Sequence, residues 1–198
     1  MTSLNDLYYG EAERREEPME REEALRLVKE EVKTKNLVKH MLAAEACMRR
    51  LARELEEDEE SWGLAGLLHD LDYESTKDDP QRHGLVTAEM LQGKVSEEII
   101  EAIKAHARHA ERRTRMAKAL YAVDPLTGLI VAATLMHPER RLEAVDTRFV
   151  LNRFKEKSFA RGANREQIRS CEELGIPLER FITLCLEAMK GIKEKLGL

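Results

Sequence analysis

The chain has 198 residues, enough for one domain with a core that folds without disulfides or a structural metal. Hydrophobic residues make up 42%, charged residues 36% and aromatics 5%, and the formal net charge is -5. Abundant Leu, Ala, Glu, Lys and Arg with few aromatics favour helices over strands, and the lack of a basic excess argues against nucleic-acid binding.

Residues 1–18 read as a poorly ordered or loosely docked N-terminus that the Tyr8-Tyr9-Gly10 patch could anchor. They hold no apolar stretch of the kind a signal peptide needs. Pro18 opens a predicted helix over 19–33, with Ala24, Leu25, Val28 and Val32 on one stripe. A second helix is predicted over 35–56, with Leu37, His40, Ala44, Cys47 and Leu51 on one face. A third covers 59–69, followed by a polar loop over 71–82 and a fourth helix over 82–92. Ser96 has the chemistry of an N-cap for a fifth helix, on which Ile99, Ile103 and His106 share a face. Residues 115–135 read as an apolar helix broken at Pro125, because proline removes a donor and crowds the preceding turn. Three shorter helices are expected over 139–197, and Gly-Ile-Pro at 175–177 is a turn. No apolar run is expected to reach the roughly 20 residues that span a bilayer. Cys47, Cys171 and Cys185 form no C-x-x-C pair and fit buried, reduced thiols in a cytoplasmic protein.

The segment Leu67-Leu68-His69-Asp70-Leu71-Asp72 carries the strongest chemical signal. An ionised carboxylate at the end of an apolar helix is costly to bury unless it is paired or bound to a cation. His40 lies inward on the preceding helix. Asp124 lies in the apolar stretch Ala122-Val123-Asp124-Pro125-Leu126. Imidazoles and carboxylates on facing helices are a common way to build a metal site in a bundle. Two of each suit Mn, Fe, Co, Ni, Zn or Mg.

The order His40, His69-Asp70, Asp124 resembles the HD-domain superfamily of metal-dependent phosphohydrolases. Asn36 to His40, Gly63 to Tyr73 and Ala122 to Ile130 look like its small HDIG-type subgroup, with Leu71-Asp72 where the name has Ile-Gly. Lys157-Ser158-Phe159-Ala160-Arg161 is similar to that subgroup as well. The resemblance implies an all-α, HD-domain-like bundle over 19–135, extended by C-terminal helices over 136–198 packed on the same domain. It implies a metal held by His40, His69, Asp70 and Asp124. In binuclear members extra histidines bind a second ion, and here His83 and His106 fit that order, with Asp70 bridging. His109 competes with His106 for the role, and His137 reads as a bystander.

Hydrolysis of a small-molecule phosphate ester by metal-activated water is the expected activity. Asp70, Asp72 and Glu74 are the candidate catalytic carboxylates, and Lys77, Arg82, Lys104 and Arg108 the candidate phosphate-binding cations. The stretch Arg153, Lys155, Lys157, Arg161 reads as a solvated face or as a phosphate-steering arm. Two further readings stay open: a di-iron HD-fold oxygenase, and a non-catalytic nucleotide or metal sensor. No membrane partner is expected, and a homo-oligomer is compatible with the sequence.

Overall fold

The computed structural model describes residues 19–198, so the reading of residues 1–18 lies outside the described residues. Ten α-helices follow one another with no strand among the described residues. They are α1 (Arg21–Glu31), α2 (Lys35–Leu55), α3 (Glu59–Leu68), α4 (Leu85–Leu91), α5 (Glu97–His106), α6 (Arg115–Met136), α7 (Thr147–Lys155), α8 (Arg165–Arg169), α9 (Leu178–Lys190) and α10 (Lys193–Leu196). The protein is all-α. The tail holds four helices, with short 3-10 turns at Leu142–Ala144 and Ser170–Leu174, where three helices were expected.

Helix starts follow local chemistry. Asp58, Ser96, Thr114 and Asp146 each accept from a backbone N–H in the first turn of α3, α5, α6 and α7. Such caps satisfy donors that have no partner inside the helix.

Helix α2 is the central strut. It packs against α3, α6 and α9, while α5 lies on α3 and α6, and α7 and α8 lie on α6. Met41, Met48 and Leu51 of α2 meet a fully buried core that includes Trp62, Leu67, Ile103, Leu120 and Phe181. Helix α3 sits very close to α2. A Cβ on Gly66 would stand 2.7 Å from the Ala44 carbonyl oxygen, so only glycine fits there. That approach sets the end of α3, with His69 and Asp70, against the His40 side of α2.

Pro125 does not break α6, contrary to the sequence expectation. Its missing N–H would leave the Tyr121 carbonyl without a partner, and the Gln167 side chain of α8 donates to that oxygen at 2.9 Å. The helix therefore runs 22 residues. By length and composition it could cross a membrane, which corrects the expectation that no apolar run approaches that length, but most of it is buried as a core helix.

Candidate metal centre

Six side chains from five elements converge inside the bundle. His40 comes from α2, His69 and Asp70 from the end of α3, His106 from the last turn of α5, and Asp124 from α6. His83 follows the 3-10 turn Pro80–Arg82.

The donor atoms form two adjoining groups. Around Asp70 Oδ2 stand His40 Nε2 at 3.4 Å and His69 Nε2 at 3.5 Å. Asp124 Oδ1 completes this group, 3.3 Å from His40 Nε2 and 4.0 Å from His69 Nε2. Around Asp70 Oδ1 stand His83 Nε2 at 3.4 Å and His106 Nε2 at 3.6 Å. Donors about 2.0–2.2 Å from one ion lie roughly 3–3.6 Å apart, so these separations suit shared coordination. The donors of His40, His69 and Asp124 lie within 4.8 Å of one another, and so do those of His69, Asp70 and His106.

The far side of each imidazole fixes its proton. His69 Nδ1 donates to the Gly66 carbonyl at 2.9 Å, and His106 Nδ1 donates to the Ile103 carbonyl. His83 Nδ1 donates to Asp72 Oδ1 at 2.8 Å. His40 Nδ1 donates to Thr127 Oγ1 at 2.9 Å, whose own proton goes to the Asp124 carbonyl. A neutral imidazole with its proton on Nδ1 points a bare lone pair from Nε2. Those nitrogens face one another at 3.2 Å in the pairs His40–His69 and His83–His106. Two lone pairs so close repel unless a proton or a cation lies between them. Ring nitrogens that ligate metals commonly have this outer partner.

Charge agrees with geometry. Burial opposes ionisation of Asp70, but His69, His106 and His40 outweigh it and hold that carboxyl well below its usual range. Asp124 is lowered as well, with burial overcome by His40. Burial disfavours a charged His40, yet Asp124 and Asp70 raise it to about 10. Burial, with help from His106 and His40, drives His69 down to about 4 against the pull of Asp70. The pocket thus holds two carboxylates and draws positive charge to their shared edge. The residues present fit a divalent ion.

Asp72 corrects a sequence expectation. It was a candidate acid or base in a solvated loop, but it is fully buried. Besides His83 it accepts from Gly84 N–H and Thr87 N–H, each at 2.8 Å. Gly84 adopts φ +77°, which turns its N–H toward Asp72, and a Cβ there would strike Ala107. Asp72 therefore orients His83 and closes the start of α4. Glu74 is also corrected: its two oxygens accept from the Lys33 and Thr34 N–H groups ahead of α2, so it is a helix-start contact.

The candidate cations do not gather at the centre. Arg82 reaches Glu89 at 3.5 Å and Lys104 reaches Glu101 at 3.4 Å. Lys77 and Arg108 are exposed. None of the four lines either cleft onto which His40 opens. One cleft, about 330 Å³, lies between Asp124, Pro125 and the Ala160–Ala163 segment. The other, about 500 Å³, is lined mainly by apolar side chains of α6, among them Val131 and Leu135, and by Leu196 and Leu198. His109 is exposed, and His137 stacks edge-on against Phe149, outside the cluster. Thr127 was missed in the sequence, although its place three residues after Asp124 on a helix was the available signal. The three cysteines are buried free thiols, and burial pushes Cys171 up to about 12.

Fold and donor set together define an all-helical protein with an interior His/Asp pocket able to hold divalent metal. The chain belongs to the HD-domain family, whose model matches residues 37–137. That superfamily comprises metal-dependent phosphohydrolases. No curated protein and no solved structure matched the chain at a significant level.

Proposed function

We propose that the protein is a cytoplasmic phosphohydrolase that cleaves a small-molecule phosphate ester at a pair of divalent ions. One observation carries the reading: the two oxygens of Asp70 face two separate pairs of imidazoles, and every imidazole has its outer nitrogen occupied. His40, His69, Asp70 Oδ2 and Asp124 would hold one ion, and His83, His106 and Asp70 Oδ1 the other. Divalent ions there supply Lewis acidity, bringing water toward neutral ionisation and neutralising charge on a phosphoryl group.

The chain's own residues do the rest. Asp70 fixes the spacing of the two halves. Thr127, Asp72 and the Gly66 and Ile103 carbonyls keep each imidazole in the tautomer that offers Nε2. The bundle shields His69, His106 and Asp70 from bulk water, which strengthens their electrostatic influence. Asp124 and His40 are the part-exposed edge through which an ester would enter. The apolar cleft beside His40 and Gly128 suits the organic half of the ester, since it offers few polar groups to read a base edge.

The test is a panel of phosphate monoesters and diesters assayed with protein loaded with Mn, Fe, Co, Ni, Zn or Mg, with oxygen uptake followed in parallel. Release of phosphate or alcohol without oxygen consumption is the expected result. Substrate-linked oxygen uptake would favour a di-iron oxygenase, and nucleotide binding without turnover would favour a sensor.

A further inference from the structure

One guanidinium in this molecule is held entirely by the main chain. Arg165, the first residue of α8, donates from Nε to the Phe154 carbonyl at 3.2 Å. Its Nη1 reaches the Ala160 and Ala163 carbonyls at 2.8 and 2.6 Å. Its Nη2 reaches those of Phe159 at 2.6 Å and of Arg153 and Glu156 at 3.3 Å. No carboxylate lies within ion-pair distance of it among the described residues. Two of these six carbonyls end α7, where a helix leaves its last oxygens without partners. The other four belong to the connection from α7 to α8. A cation gathering carbonyl oxygens from so short a stretch shapes that stretch as a bound ion would. It also supports Ala160 at φ +43°, a conformation that an alanine rarely adopts unaided.

The opposite edge of the same stretch is a wall of the centre. Ala160, Gly162 and Ala163 close the 330 Å³ cleft whose other side is His40, Asp124, Pro125 and Gly128. Arg161 stands between two of these wall residues, exposed and without an ion-pair partner among the described residues. Arg153 nearby is neutralised by Glu156 at 2.6 Å, which leaves Lys157 and Arg161 as the exposed cations of residues 156–163 without an ion pair among the described residues, and of the two only Arg161 is flanked by residues that line the cleft. A planar guanidinium fork is well matched to phosphate oxygens.

We propose that residues 156–163 form the substrate-facing wall of the site, that Arg161 is its phosphate-binding cation, and that Arg165 is the positioning residue that holds the wall in place. This rests on the phosphohydrolase reading, which names the ligand. Sequence order had placed Arg161 in a basic stretch with two readings, and the carbonyl clamp favours the phosphate-binding one.

Two measurements test it. Inorganic phosphate is titrated into metal-loaded wild type, Arg161→Ala and Arg161→Lys, with steady-state kinetics on whichever ester is turned over. Hydrogen exchange of the metal-free protein is compared between wild type and Arg165→Lys. Arg161→Ala should weaken phosphate binding and raise KM tenfold or more, with kcat within about threefold and metal content unchanged, and Arg161→Lys should recover part of the loss. Arg165→Lys should speed exchange at least tenfold in 156–163 and leave α2 and α6 protected. Phosphate affinity within twofold of wild type in Arg161→Ala, or an unchanged exchange pattern in Arg165→Lys, would overturn the proposal. Wild type that binds phosphate through Arg161 yet hydrolyses no ester would overturn the phosphohydrolase reading and leave the wall standing.

Discussion

Helix α2 carries two buried polar clusters, five residues apart, that differ in one respect. At Glu45 every charge meets its opposite. Arg21 grips the carboxylate with two nitrogens at 2.5 and 2.9 Å, and Arg49 adds Nε at 3.0 Å. The rest of the Arg49 guanidinium is taken by Glu60 at 2.7 and 2.9 Å. At His40 the converging atoms are carboxylate oxygens and imidazole nitrogens, 3.2 to 4.0 Å apart, and the outer nitrogen of every imidazole is already engaged. The first cluster is complete and ties α1 and α3 to α2. The second gathers more acceptors than donors, and a proton on His40 or a divalent cation is what fills it. Buried polar groups normally pair donor with acceptor, so a centre this rich in acceptors suits a cation.

Asp70→Ala breaks this contrast most sharply. It should lower hydrolysis about a thousandfold or more, because both halves of the centre lose their shared oxygen. Circular dichroism should stay helical, and a variant that keeps wild-type turnover would refute the assignment. Glu45→Ala should do the reverse. It leaves the half-buried Arg21 without its carboxylate, while Arg49 keeps Glu60, and should cost about 1–3 kcal/mol in urea unfolding, while activity per folded molecule persists. Asp72→Asn frees His83 without touching a donor atom. Its expected cost is about 10–100-fold in metal affinity or turnover. Competition with a chelating indicator measures that loss, and an unchanged affinity would return Asp72 to a structural role only.

Gln167→Ala uncovers the Tyr121 carbonyl beside Pro125. It should destabilise the fold by about 1–3 kcal/mol, and thermal denaturation reads the loss directly. The smallest effect belongs to His137→Ala, which lies outside both clusters and should change neither metal content nor turnover.

The donor set was legible in the sequence because ligands keep their type whatever surrounds them. A histidine on an inward face, a His-Asp pair at a helix end and an aspartate in an apolar stretch are local signals. The roles that escaped notice depend on partners far along the chain. Asp72 looked like a loop acid until Thr87 and His83 closed over it. Glu74 finds its donors about 40 residues earlier, at the start of α2. Pro125 reads as a break because Gln167, its remedy, sits on another helix. Arg165 escapes side-chain patterns altogether, since all its partners are carbonyls. The fold class followed from composition and period, whereas the continuity of α6 followed from one side-chain amide.

Elemental analysis of purified wild type beside Asp70→Ala tests the central claim most directly. About two divalent ions per chain in the wild type, and almost none in the variant, is the expected result for a carboxylate that joins two adjoining sites. Equal metal in both proteins, or none in wild type after incubation with each candidate ion, would contradict it.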